Sequence, residues 1–323
     1  MKHIVMTQPL CKEGYEIMEK EGSIYVADNP NPSEYMEEIE KANCVIVRIA
    51  HMNREEIEGA ANLEVIGRTG VGYDSVDIKA ATERGIPVVI TPSANADAVA
   101  EHTIAMLFAL ASNLVEGHNE TVKGNFAVRN SGKAFELHGK TLGILGIGDI
   151  GRRVAKLGQA LRMDVCAYDP VYTQEEMTSL GIRFCGTMEE LLSGSDAVTI
   201  HTPLTPETKG MIQMEHLKQM KPASVIINCA RGGIINEEDL VQALNQGIIA
   251  GAATDVFDKE PPTEDHIFMK AKNLILSPHS AAQTKEAVIN MAVMCAEGCA
   301  AILNGKRWPH VANPAAYDHP RWN

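Results

Sequence analysis

From residue 141 onward, short apolar runs alternate with amphipathic segments. The runs are TLGILGIG (141–148), DVCAYD (164–169), AVTIHT (197–202), SVIINCA (224–230), GAATDVF (251–257) and NLILSP (273–278). Each is apolar almost throughout rather than alternating, as strands buried on both faces must be. Helix starts stand between them. Thr173 with Glu176 and Thr187 with Glu190 have capping-box spacing, and Asn236 precedes a segment whose Leu240, Val241 and Leu244 share a face before Gly247 stops it. The alternation predicts an α/β fold with an open, doubly wound, Rossmann-type parallel sheet.

The first hundred residues repeat this in a smaller unit. Strands are expected at 3–7, 23–27, 43–48, 63–68 and 87–91, with helices such as PSEYMEEIEKA between them. This reads as a second, flavodoxin-like α/β domain. One long helical segment, 95–120, leads into the larger domain, and another, 285–305, leads out. The larger domain (99–286) is therefore expected to be inserted into the smaller one (1–98 and 287–323).

Composition narrows the function classes. The longest uninterrupted apolar run, IAMLFALA (104–111), is far short of the ~20 residues that span a bilayer, and the N-terminus lacks the features of a signal peptide. Neither a membrane nor, with a net charge of −13 and no Lys/Arg run, nucleic acid is expected as a partner. Seven scattered cysteines without a CxxC pair read as reduced thiols of a cytoplasmic protein.

Gly146-x-Gly148-x-x-Gly151 ends the first of the six strands and opens a helix. In that context the first glycine allows a tight turn, the second lets a pyrophosphate approach the backbone, and the third lets helix and strand pack closely. The helix N-terminus offers free N–H groups and partial positive charge. Asp169, ending the next strand, is placed to accept hydrogen bonds from the adenine ribose. A 2′-phosphate about 4 Å from it would cost roughly 1–4 kcal/mol. NAD is the expected cofactor. A turn-initiating role before Pro170 is the plainer alternative for Asp169.

All six strands end in a polar or glycine position: Gly146, Asp169, Thr202, Arg231, Asp255 and His279. In an open α/β sheet these positions border the ligand crevice. Arg231 is suited to bind a carboxylate and polarise an adjacent carbonyl. Glu260, in DVFDKEPP, can cap its own turn or orient His279, which would then donate a proton to a carbonyl oxygen or act as base in the reverse direction. No second ligand stands at metal spacing around His279, so no metal is expected.

With these residues, the chain resembles the D-isomer-specific 2-hydroxyacid dehydrogenase family over nearly its whole length. The segments that carry the likeness are residues 67–104, LGILGIGDIGRRVA, HTPLTPET, INCARGGIINEEDL, DVFDKEPP and SPHSAAQT. The resemblance implies an NAD-dependent oxidoreductase acting on a small anionic 2-hydroxy or 2-oxo acid, with Arg231, Glu260 and His279 catalytic. It implies NAD contacts from Asp149, Ile150, Asp169, Thr202, Cys229, Ala230, Arg231, Asp255, His279, Ser280, Ala281 and Ala282, and substrate-carboxylate contacts from the amides near Val71 and Gly72.

The likeness is greatest to the 3-phosphoglycerate dehydrogenase branch, here expected without its regulatory domain, and Arg48 falls where that branch places an arginine near the phosphate. His51 and Met52, in place of a Thr–Lys pair, and SAAQ after His279 depart from the branch. Hydroxypyruvate, glyoxylate or another 2-oxo acid therefore stays open as substrate. A non-catalytic NAD-sensing protein is a further alternative; Glu260, where formate dehydrogenases carry glutamine, counts against a formate enzyme. The apolar 95–120 segment adds the expectation of a homodimer through the larger domain.

Overall fold

The structure is a computed structural model describing residues 1–29 and 31–322. The chain forms two units, Met1–Asn95 with Gln283–Asn323, and Ala96–Ala282. The boundaries expected from sequence, 98/99 and 286/287, fall in the first turns of helices that begin at Ala96 and Lys285.

The smaller unit holds a parallel sheet of β1 (Lys2–Met6), β2 (Gly22–Val26), β3 (Cys44–Val47), β4 (Val65–Arg68) and β5 (Val88–Val89). Their order is β2-β1-β3-β4-β5, the flavodoxin arrangement. One face packs on the helix Lys285–Leu303 through Cys295, Ala296, Cys299 and Ile302. Thr284 caps that helix by accepting the amide hydrogen of Ala287. By length and composition the helix is apolar enough to cross a membrane, yet half of its most apolar window is buried in the protein. Reading uninterrupted runs misses it because Asn290 and Glu297 break the apolar pattern.

The larger unit holds β6 (Thr141–Leu145), β7 (Asp164–Tyr168), β8 (Arg183–Phe184), β9 (Ala197–Ile200), β10 (Val225–Asn228), β11 (Gly251–Thr254) and β12 (Leu274–Leu276). All pair in parallel, in the order β12-β11-β10-β9-β6-β7-β8. The order reverses between β6 and β9, the switch point where a doubly wound sheet opens a crevice. Central strands β9, β10 and β11 are buried at every residue, which explains their unbroken apolar runs. The helix Asp149–Ala160 seats Gly151, Val154, Ala155 and Gly158 on the sheet, one face of a 3.6-residue period.

Three expectations need correction. The sheet has a seventh strand, β8, whose two residues are too short to show a pattern. The 95–120 segment is not one helix: Ala96–Ala111 and Leu114–Val122 meet at 60°. Asn113 turns the chain there at φ 49°, a left-handed conformation that asparagine tolerates. Thr187 does cap its helix, but the Glu190 carboxylate accepts from Gly186 rather than closing the box.

Candidate active site

The expected strand-end residues of the larger unit all lie just beyond the carboxyl ends of parallel strands, but their side chains do different work. In the glycine loop, Gly146 adopts φ +92° and donates its amide hydrogen to Tyr168. A Cβ on Gly151 would lie 2.2 Å from the Gly146 carbonyl oxygen, whereas a Cβ on Gly148 would have no atom within 4 Å. The middle glycine therefore borders open space at the N-terminus of the helix Asp149–Ala160, where backbone amides can meet phosphate. Asp149 is exposed and paired with Arg153, which also binds Asp97 at 2.6 Å. Ile150 packs against the core.

Asp169 spends one oxygen on the Ile147 amide and the other on the Val171 amide, both at 2.9 Å. It thus ties the glycine loop to the turn after β7. Each oxygen keeps a further acceptor site for a ribose hydroxyl. Beyond β9, the Thr202 hydroxyl oxygen is buried with no hydrogen-bond partner among the described residues. Neighbouring His201 has both ring nitrogens buried, and burial pushes it down to about 3, so it is neutral. The open amides at Gly148, the second acceptor sites of Asp169 and the orphaned Thr202 hydroxyl fit a dinucleotide.

At the end of β10, buried Asn228 accepts from the Ala230 amide at 3.0 Å and donates to the Arg231 carbonyl at 2.8 Å, shaping the turn that presents the arginine. The Cys229 thiol is buried 3.7 Å from the Met106 sulfur, and burial pushes it up to about 12. Only the backbone of Cys229 and Ala230 is suited to meet a ligand.

His279, just past β12, adopts φ 51°. Its Nδ1 lies 2.6 Å from Glu260 Oε2, and Glu260 Oε1 accepts the Phe257 amide hydrogen at 3.0 Å. A carboxylate at Nδ1 fixes the proton there and leaves Nε2 for another partner. Burial pushes the Glu260 carboxyl up, but the hydrogen bond and charge of His279, the Phe257 amide and the charge of Arg231 outweigh it, leaving a net downward shift. The three residues expected to be catalytic are thereby linked, two by direct contact and Arg231 through its field.

Asp255 differs from the expectation of a ligand-facing strand end. It is fully buried, and its oxygens accept from the Ser280 and Ala281 amides at 2.8 Å and from the Ser277 hydroxyl. His102 Nε2 stands 3.0 Å from Ser277 Oγ and 3.7 Å from Asp255 Oδ1. The carboxylate thus holds the turn in which His279 takes its left-handed conformation. Ser280 and Ala281 have committed their amides to it, and Ala282 packs on the core. Sequence reasoning missed Asn228 and Ser277, unremarkable polar positions at strand ends, and His102, which lies within the helix Ala96–Ala111.

In the smaller unit, Arg48 directly follows β3 and donates to Gln283, while Val71 and Gly72 lie in the loop after β4 with Val71 40% exposed. At the same edge, Thr7 and Thr91 bury hydroxyl oxygens that have no partner among the described residues. The strand-end rule, applied to this sheet too, would have found them. Among the described residues no cluster of His, Cys, Asp or Glu could hold a metal.

Known proteins share this architecture. Residues 104–281 match the family described as D-isomer specific 2-hydroxyacid dehydrogenase, NAD binding domain. The chain is 39% identical over 314 residues to D-3-phosphoglycerate dehydrogenase of Methanocaldococcus jannaschii, covering 97% of this chain and 60% of that protein. It is 34% identical over 320 residues to glyoxylate reductase of Aeropyrum pernix, covering 96% and 95%. The structure superposes on D-lactate dehydrogenase from Aquifex aeolicus, complexed with NAD and lactic acid, with a TM-score of 0.84, 29% identity and coverage of 94% and 95%. The chain spans about three-fifths of the length of the phosphoglycerate dehydrogenases it matches first. It belongs to the D-isomer-specific 2-hydroxyacid dehydrogenases, and its larger unit carries that family's NAD-binding domain.

Proposed function

We propose that the protein transfers a hydride between NAD(H) and a small anionic 2-hydroxy or 2-oxo acid, with D-isomer specificity. The observation that carries this reading is the 2.6 Å contact between His279 Nδ1 and Glu260, which leaves Nε2 to exchange a proton with substrate oxygen. Arg231 binds the substrate carboxylate and polarises the neighbouring carbonyl. Gly146, Gly148 and Gly151, with the amides that follow, hold the pyrophosphate; Asp169 takes the ribose, and Thr202 and the backbone from Cys229 to Arg231 line the nicotinamide side. Asp255, Ser280 and Ala281 shape that border from behind. The bound cofactor supplies or accepts the hydride, while these residues orient the acid and move its proton. In the smaller unit, Arg48 and the amides at Val71 and Gly72 bind the anionic groups of the acid.

The relatives favour 3-phosphoglycerate as substrate, and the glyoxylate reductase, matched over nearly its full length, keeps glyoxylate and hydroxypyruvate as the second reading. A homodimer through the larger unit is supported by exposed Phe108, Leu114, Val115, Val122 and Phe126, an apolar face on the helix Leu114–Val122 and its neighbours. Seven unpaired cysteines suit a cytoplasmic setting. The test is turnover of 3-phosphoglycerate with NAD, and of hydroxypyruvate and glyoxylate with NADH; binding of NADH without turnover of any of them favours an NAD-sensing role instead.

A further inference from the structure

Glu237 begins the helix Glu237–Gln246, and His266 lies in the excursion that follows β11. Glu237 Oε1 accepts the Asp258 amide hydrogen at 2.8 Å, and its Oε2 stands 3.2 Å from His266 Nε2. Both side chains are largely buried, at 16% and 12% exposure. His266 Nδ1 accepts the Phe268 amide hydrogen at 3.3 Å, so the neutral ring carries its proton on Nε2, the nitrogen that faces Glu237. The ring stands edge-on to Phe257 and Phe268, with centroids 5.5 and 5.1 Å away.

We propose that Glu237 and His266 form a second carboxylate–imidazole pair whose role is to position the first, an inference that rests on the catalytic reading of Glu260 and His279. The Phe257–Asp258 peptide is the link. Glu237 holds it from one side through the Asp258 amide. From the other side Gly232 presses on it so closely that a Cβ there would lie 1.9 Å from the Phe257 carbonyl oxygen. The Phe257 amide in turn binds Glu260 at 3.0 Å. A peptide clamped between Gly232 and Glu237 fixes both the turn of Arg231 and the carboxylate that orients His279. Glu237 and His266 are positioning residues, reaching the reacting atoms only through that peptide.

The test compares the parent with Glu237→Ala, Glu237→Gln and, as a reference, Glu260→Ala. Two quantities are measured: steady-state turnover of hydroxypyruvate, glyoxylate and 3-phosphoglycerate, and ring-nitrogen NMR shifts of neutral His279, which report which nitrogen carries the proton. Glu237→Ala is expected to lower kcat roughly tenfold to a hundredfold, the scale of a small misplacement of reacting groups, with KM for NADH nearly unchanged. Its His279 proton is expected to move from Nδ1 toward Nε2, as in Glu260→Ala. Glu237→Gln keeps an acceptor for the Asp258 amide and is expected to recover most of both properties. Should Glu237→Ala not fold, His266→Leu keeps the apolar contacts with Phe257 and Phe268 but removes the polar contact with Glu237 and carries the same expectation. Parental kcat with an unchanged His279 tautomer overturns the inference, as does lost activity with that tautomer intact. A parent without turnover of any of these acids removes the functional reading instead, while the NMR comparison still decides the positioning.

Discussion

Asp169 accepts the amide hydrogen of Ile147 at 2.9 Å, so the carboxylate that directly follows β7 also fixes the glycine loop that follows β6. Removing it therefore does two things. Asp169→Ala should weaken NAD and also relax the preference over NADP, because the charge that repels a 2′-phosphate is gone. Asp169→Asn, which keeps an acceptor for the loop, should relax the preference with less loss of NAD affinity. Steady-state kcat/KM for both cofactors checks this; comparable values for NADP and NAD in the parent would contradict it.

The buried Asp255 carboxylate should matter for stability as well as rate. Asp255→Ala strips acceptors from Ser277, Ser280 and Ala281 and is expected to cost about 2–4 kcal/mol in chemical denaturation, with a large loss of kcat as the His279 turn relaxes. A change below about 0.5 kcal/mol would show that the turn holds itself.

His201 gives stability a pH dependence. Its folded value, about 3, lies below the ordinary 6.5, so the unfolded chain binds its proton first as pH falls. The sign follows: the contribution is fully present above about pH 6.5 and drains away as pH drops toward 3, by about 1.4 kcal/mol per unit. His201→Asn should flatten that part of the stability curve. An equally steep curve in the variant would place the titration elsewhere.

The exposed apolar face around Leu114 and Phe126 predicts a dimer in solution. Light scattering at micromolar concentration should give twice the chain mass, and Leu114→Glu with Phe126→Glu should halve it. A monomeric parent would contradict the expectation.

Much of this was legible in the chain. Parallel strands buried on both faces cannot hide: Val225–Asn228 and Ala197–Ile200 are apolar but for Asn228 and Thr199, because every position is shut off from water. The ends of such strands are also conspicuous, which is how Arg231, Asp255 and His279 stand out. Sequence does not reveal where a side chain turns. Asp255 faces inward to three donors rather than outward to a ligand, and Asp169 serves both its own turn and the glycine loop. The brace at Glu237 and His266 joins residues far apart in sequence through backbone amides, and an amide leaves no mark on residue type. The bend at Asn113 was equally silent, since its neighbours favour helix on both sides.

The central claim is that His279, held by Glu260, exchanges the substrate's proton. Its most direct test is His279→Ala, with kcat measured on a 2-oxo acid that the parent reduces and NADH affinity measured separately by fluorescence. The account predicts a kcat lower by roughly 10²–10⁴-fold with NADH affinity nearly unchanged. Turnover close to that of the parent would contradict it and leave His279 as a histidine packed at the end of a strand.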